Sequence, residues 1–163
     1  MEVALVSDTH IPSRAQRIPD AFRRRIRDAD HVIHAGDFDS EGAFADVRDL
    51  AGGLTAVSGN MDPRIGLPAV ATVDLGGVEF VITHGTGSRR SYASRVATTV
   101  RSEAETDSPV GVSGHTHEVL DETVDGVRLL NPGSATGAAP ASRRTMMTVG
   151  VTGGKLDVTV HEI

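Results

Sequence analysis

The sequence predicts an α/β fold in one domain spanning residues 1–163, and three observations carry that prediction. Short apolar runs alternate with helical ones through the first hundred residues, the tail strings strand-like runs together with two-residue turn signals, and nowhere do about twenty apolar residues follow one another as a bilayer span requires. Residues 3–6 read as the first strand. Pro19 opens a helix to about residue 28, in which Ala21, Phe22 and Ile26 mark an apolar stripe and Arg23, Arg24, Arg25 and Arg27 a solvated face. Residues 31–35 are the second strand. Ser40 caps a helix through Leu50, because its hydroxyl can accept a free amide hydrogen of the first turn. Residues 54–57 are the third strand. This βαβαβ order predicts a parallel sheet with right-handed crossovers covered by helices.

Residues 70–75 and 78–83 form a hairpin about Gly76-Gly77, followed by a helix over 91–103 and a strand over 110–113. The C-terminal third reads as antiparallel. Its strands cover 119–124, 127–130, 145–151 and 156–162, with Asp125-Gly126 and Gly153-Gly154 as turns. The stretch 131–144 (NPGSATGAAPASRR) reads as a loop.

Composition narrows the chemistry. There is no cysteine, which removes disulfides, zinc-thiolate sites, iron-sulfur clusters and cysteine nucleophiles, so any metal must be held by His, Asp, Glu or Asn. A formal net charge of -6 and no long basic run argue against non-specific binding to nucleic acid or to an anionic membrane. The start MEVALVSDTH lacks a basic region and a small-residue cleavage site, which fits a cytoplasmic protein. Homo-oligomerisation stays open at this level.

Five strands run into polar residues at their ends: Asp8 and His10, Asp37, Asn60, His84, and His115 with His117. In open α/β sheets ligand sites form beyond the carboxyl ends of the strands, so all seven can share one crevice. Spacing by two in Asp8/His10 and His115/His117 places both side chains on one side of an extended segment. Glycines at 36, 59 and 114 allow sharp turns that aim the next residue inward. Seven oxygen and nitrogen donors exceed what one tetrahedral ion needs and suit two ions sharing a carboxylate. Two divalent ions against Asp8 and Asp37 leave the site net positive, which favours a phosphate guest. Donors without sulfur suit Mn, Fe, Zn, Co or Ni alike and leave the choice to availability, with Mn as the leading expectation.

The motifs DTH, GDFD, GNMD, THG and GHTH, in this order and each after a strand, resemble those of the calcineurin-like metallophosphoesterase superfamily. With the short chain and the segment NPGS (131–134), the resemblance narrows to its small bacterial and archaeal phosphodiesterase branch, to which the eukaryotic retromer subunit Vps29 is also similar. The resemblance implies a four-layer α-β-β-α sandwich of two packed mixed sheets flanked by helices. It implies one metal on Asp8, His10 and His117, a second on Asn60, His84 and His115, Asp37 bridging them, Asn60 also meeting the substrate, and a metal-bound hydroxide as nucleophile. The substrate would be a small phosphoester or nucleotide.

Three positions depart from the family pattern. Met61 stands where many members have a His proposed to protonate the leaving group, and a thioether carries no titratable proton. Thr86 replaces the second His of THGH, and Ser40 the Asp expected three residues after Asp37, with Asp39 adjacent as a substitute. Asp62, Asn131 and Ser134 are candidates for orienting ligands, and Arg89 and Arg90 for reaching a phosphate. His31, His34 and His161 read as satisfied structural histidines. Two functions compete: a metal-dependent phosphodiesterase, and a non-catalytic interaction scaffold of the Vps29 type. A Rossmann or P-loop nucleotide site is excluded, because DTHIPSRAQ follows the first strand where a glycine-rich loop would stand.

Overall fold

The computed structural model describes residues 1–163. Its elements follow the order β1 (Glu2–Val6), α1 (Asp20–Asp28), β2 (His31–His34), α2 (Glu41–Leu50), β3 (Leu54–Ala56), β4 (Val70–Leu75), β5 (Val78–Thr83), α3 (Tyr92–Glu103), β6 (Val110–Val112), β7 (Val119–Val124), β8 (Val127–Pro132), β9 (Thr145–Thr152) and β10 (Lys155–Glu162). The strands form two five-stranded mixed sheets, β10-β9-β1-β2-β3 and β4-β5-β6-β8-β7.

Alternation along β1 shows why its sequence is apolar without a break. Val3 and Leu5 face the second sheet and pack with Phe80, Ile82 and Val112, while Ala4 and Val6 face outward against Phe22 and Ile26 of α1 and Val47 of α2. A strand covered on both faces has no solvent side to mark with polar residues. On the outer face of the second sheet, Val81 and Leu129 pack against Val96 and Val100 of α3. The layers are therefore helices α1 and α2, first sheet, second sheet, helix α3. At the edge, β10 alternates exposed and partly buried residues along most of its length, as one-sided cover requires.

Strands β1, β2 and β3 are parallel, as the βαβαβ order requires. The tail departs from expectation on one side. β8 is antiparallel to β7 through the Asp125-Gly126 turn, but lies parallel to β6 on its other edge, and it runs on through Asn131 and Pro132. A turn signal sets only the chain-adjacent partner; the far partner follows from which sheet edge is free. All three two-residue hairpin turns have positive φ at both positions, the type I′ geometry that matches strand twist.

Ser40 caps α2 as expected, its Oγ accepting from Ala43 N at 3.1 Å. Pro19 caps α1 with its carbonyl, which accepts from Phe22 N and Arg23 N. Arg24, Arg25 and Arg27 face solvent, but Arg23 turns onto Asp46 of α2 and ties the two helices together. The longest helix has 12 residues, and no helix is long and apolar enough to cross a membrane.

Candidate metal centre

The loops that leave β1 and β2 continue the pairing of their strands: Asp8 N donates to Gly36 O, His10 N to Asp37 O and Ile11 N to Phe38 O, all at 3.0 to 3.1 Å. Gly114 N donates to His84 O at 3.1 Å and joins the ends of β5 and β6 in the same way. A second layer holds the β1 loop from beneath. Ser134 Oγ donates to Asp8 O at 2.7 Å and Thr136 Oγ1 to Thr9 O at 2.8 Å, so the stretch after β8 is a strap under the site.

The local backbone differs from the extended form the spacing suggested. Asp8, His10, Asp37, His115 and His117 all have φ between 46° and 71°, in the left-handed region, and Asp39 has 77°. Non-glycine residues rarely hold this region, and persist there where surroundings over-determine them. Gly36 makes the sharp turn expected of it, and the other two glycines act differently from expectation. Gly36 has φ of 100° and would bring a Cβ to 2.7 Å from Gly59 N, but Gly59 and Gly114 are needed for space: a Cβ on the first would collide with the Asp37 carboxylate, and on the second with Ser7 Oγ and Asp8 Oδ2. These glycines let the carboxylates lie against backbone.

Asp8, His10, Asp37, His84 and His117 converge in the buried part of the site. His10 Nε2 lies 3.7 Å from Asp8 Oδ1 and 3.5 Å from Asp37 Oδ2; His84 Nε2 lies 3.8 and 3.1 Å from the same atoms; His117 Nε2 lies 3.3 Å from Asp8 Oδ1. His115 is half-buried and Asn60 exposed at the rim, with Nδ1 and Oδ1 3.2 Å apart.

The tautomers follow from the partners. His10 Nδ1 donates to Asp39 at 2.9 Å, His84 Nδ1 to Ala35 O at 2.7 Å and His117 Nδ1 to Ala138 O at 2.8 Å. Each neutral ring therefore presents its Nε2 lone pair to the centre. There His10 and His117 face each other at 3.2 Å, and Asp8 Oδ1 and His84 Nε2 are buried with no hydrogen-bond partner. At the rim, His115 Nε2 donates to Gly87 O at 2.8 Å, so its Nδ1 lone pair meets the Asn60 carbonyl oxygen. In the dry interior, the lone pairs of His10, His84, His117 and Asp8 aimed at one another require positive charge between them, as a proton or as a cation.

Protonation carries the same demand. Burial opposes charge on His10, but the hydrogen bonds with Asp8 and Asp39 outweigh it and raise its pKa; burial likewise opposes charge on His84, and Asp37 and Asp8 raise it. Burial works to raise the Asp8 carboxyl, yet His10, His84 and His117 hold it below the ordinary range, and Asp37 behaves in the same way beside His84. Burial pushes His117 down, toward the neutral form that can ligate a metal.

The supporting residues are partly those the sequence suggested. Asp39 orients His10, and Asp62 accepts from Asp37 N, Asp39 N and Gly59 N at 2.7 to 2.9 Å, clamping two motif loops together. Asn131 Nδ2 donates to Gly114 O at 2.9 Å. Ser40 leaves the site to α2. Arg89 is spent on Glu118 and Thr116 O and does not face the centre. His34 is a core histidine stacked on Phe38, with its pKa pushed by burial to about 3. Ser7 escaped notice in the sequence: its hydroxyl donates to Asp8 Oδ2 at 2.6 Å, and only its place before the motif Asp could have marked it. The charge balance also changes, since Asp39 and Asp62 bring carboxylate oxygens within 4.8 Å of Asp37. Four carboxylates would balance two divalent ions, so the net positive charge inferred from Asp8 and Asp37 alone does not hold.

Residues 1–154 match the family described as the calcineurin-like phosphoesterase superfamily domain. A probable metallophosphoesterase of Methanothermobacter thermautotrophicus is 31% identical over 162 residues, covering 98% of this chain and 91% of the relative. Among solved structures, Chaetomium thermophilum Vps29 superposes with a TM-score of 0.81 at 20% identity, covering 99% of this chain and 96% of its own. Entamoeba histolytica Vps29 complexed with Zn superposes with a TM-score of 0.77 at 25% identity, covering 100% and 98%.

Proposed function

Because this chain belongs to the calcineurin-like phosphoesterase superfamily, we propose that it is a cytoplasmic phosphodiesterase that works with two divalent metal ions on a small phosphoester or nucleotide. Asp8, His10 and His117 would hold one ion, Asn60, His84 and His115 the other, with Asp37 shared. The observation that carries this reading is the unsatisfied centre: three Nε2 lone pairs and Asp8 Oδ1, buried and facing one another. Nitrogen and oxygen donors of this kind accept manganese, nickel, cobalt, zinc or iron, and availability selects among them, with manganese as the proposed ion. Held there, divalent ions would supply polarisation of a phosphoryl group and a water acidic enough to act as a nucleophile at neutral pH.

The chain's own residues set the rest. The buried carboxylates and histidines keep fixed orientations through the bonds described above, so little reorganisation accompanies reaction. Asn60, exposed at the rim, would meet a phosphoryl oxygen. Met61, next to it in the chain, and Thr86, both exposed, offer no titratable proton to a departing oxygen. Diesters with acidic leaving groups should therefore react far faster than alkyl diesters.

The test is to strip the protein with chelator, restore Mn, Ni, Co or Zn singly, and assay a chromogenic phosphodiester beside the monoester. Metal-dependent cleavage favouring the diester supports the proposal. No hydrolysis with any metal favours the second reading, an interaction scaffold, to which the fold shared with Vps29 lends weight.

A further inference from the structure

Arg95 lies on the first turn of α3, outside the seven candidate ligands. Its guanidinium gathers the loop between β5 and α3: Nη1 donates to Thr86 O at 3.0 Å, and Nη2 to Ser88 O at 2.7 Å and to Gly85 O at 3.4 Å. The carbonyl between them, that of Gly87, accepts from His115 Nε2 at 2.8 Å. Gly87 has φ of 126°, and a Cβ on it would stand 3.3 Å from both Nη1 and Nη2, so the guanidinium lies against the bare glycine. Arg95 Nε is buried without a partner. The side chain thus leaves one donor unsatisfied while its other nitrogens organise a loop, where an orphaned buried donor calls for a reason.

We infer that Arg95 is a positioning residue for His115: by folding the 85–88 loop it aims Gly87 O at Nε2, which fixes the imidazole as the Nε2–H tautomer and keeps the Nδ1 lone pair on the side of Asn60. The inference rests on reading His115 as a metal ligand. Partners of this kind orient ligating histidines, and their loss weakens metal binding by about 10–100-fold. A lysine cannot reproduce the effect in full, because its compact ammonium lacks the planar fork that spans several carbonyls.

The experiment uses the full chain with Arg95→Gln, Arg95→Lys and His115→Ala, and two readouts. Long-range proton–nitrogen spectra of the metal-free protein report the His115 tautomer, and calorimetric titration with manganese alone reports binding. Expected are a single Nε2–H tautomer in the parent, tautomeric averaging in Arg95→Gln, about 10–100-fold weaker binding of one manganese ion in that variant, and an intermediate result for Arg95→Lys. If Arg95→Gln does not fold, Arg95→Lys decides on the same readouts. A parent-like tautomer and titration in the arginine variants, with manganese binding weakened in His115→Ala, overturns this inference and leaves the metal reading standing. An unchanged titration in His115→Ala overturns both.

Discussion

In the buried half of the site, His10, His84 and His117 each have a second bond that holds the ring, and Asp8 and Asp37 are fastened from several sides, Asp8 by Ser7 and the amide of His115, Asp37 by the amide of Met61. At the rim, Asn60 is exposed and has its side-chain polar pairing with His115, and the exposed Met61 and Thr86 bond nothing through their side chains. Two of the departures from the family pattern, Met61 and Thr86, fall on this rim. The difference teaches where such a site tolerates change. A substitution at the rim leaves no buried partner stranded, whereas one in the interior strands groups that cannot reach water.

The variants that strain this contrast can be ordered by size of effect. Asp37→Asn removes the charge both ions would share and is expected to cut diester cleavage by about 10³-fold, at the upper end for one preorganised electrostatic group. Steady-state rates with metal content measured alongside check it, and parent-like turnover would break the interior's claim to be the working half. Asp39→Asn keeps the shape but weakens the hold on His10 Nδ1, so manganese affinity should fall about 10–100-fold in a calorimetric titration.

Met61→His reverses the sign. A titratable group at the rim should speed cleavage of an alkyl diester by about 10-fold, below the 10²–10⁴ of a well-placed acid, and leave a nitrophenyl diester nearly unchanged. Equal acceleration of both would show that leaving-group protonation is not what the rim lacks. Thr86→Ala should be the smallest, with unfolding free energy within about 0.5 kcal/mol of the parent, measured by urea unfolding, because its exposed hydroxyl bonds nothing. A larger loss would mean that the rim carries structure after all.

The strands were legible because a run such as VALV can only be buried on both faces, and the hairpins because Asp-Gly and Gly-Gly suit type I′ turns. The candidate ligands stood out through residue type and order along the chain. Less was legible about how they are held. Spacing by two suggested extended backbone at His115 and His117, where the φ values are 71° and 60°. Arg89, near His84 in sequence, serves Glu118 instead, while Arg95, farther away, reaches the loop that meets His115.

Local chemistry along the chain suffices for the two kinds of sheet pairing, the capped helix at Ser40, and the set of nitrogen and oxygen donors at strand ends, because propensity, turn geometry and donor type are properties of neighbouring residues. The parallel seam between β6 and β8, the tautomer of each histidine, the added charge of Asp39 and Asp62, and the role of Arg95 arise only once residues far apart in sequence share a few ångströms. Burial decides those, since a lone pair has one orientation with a partner and, in a dry interior, no water to substitute.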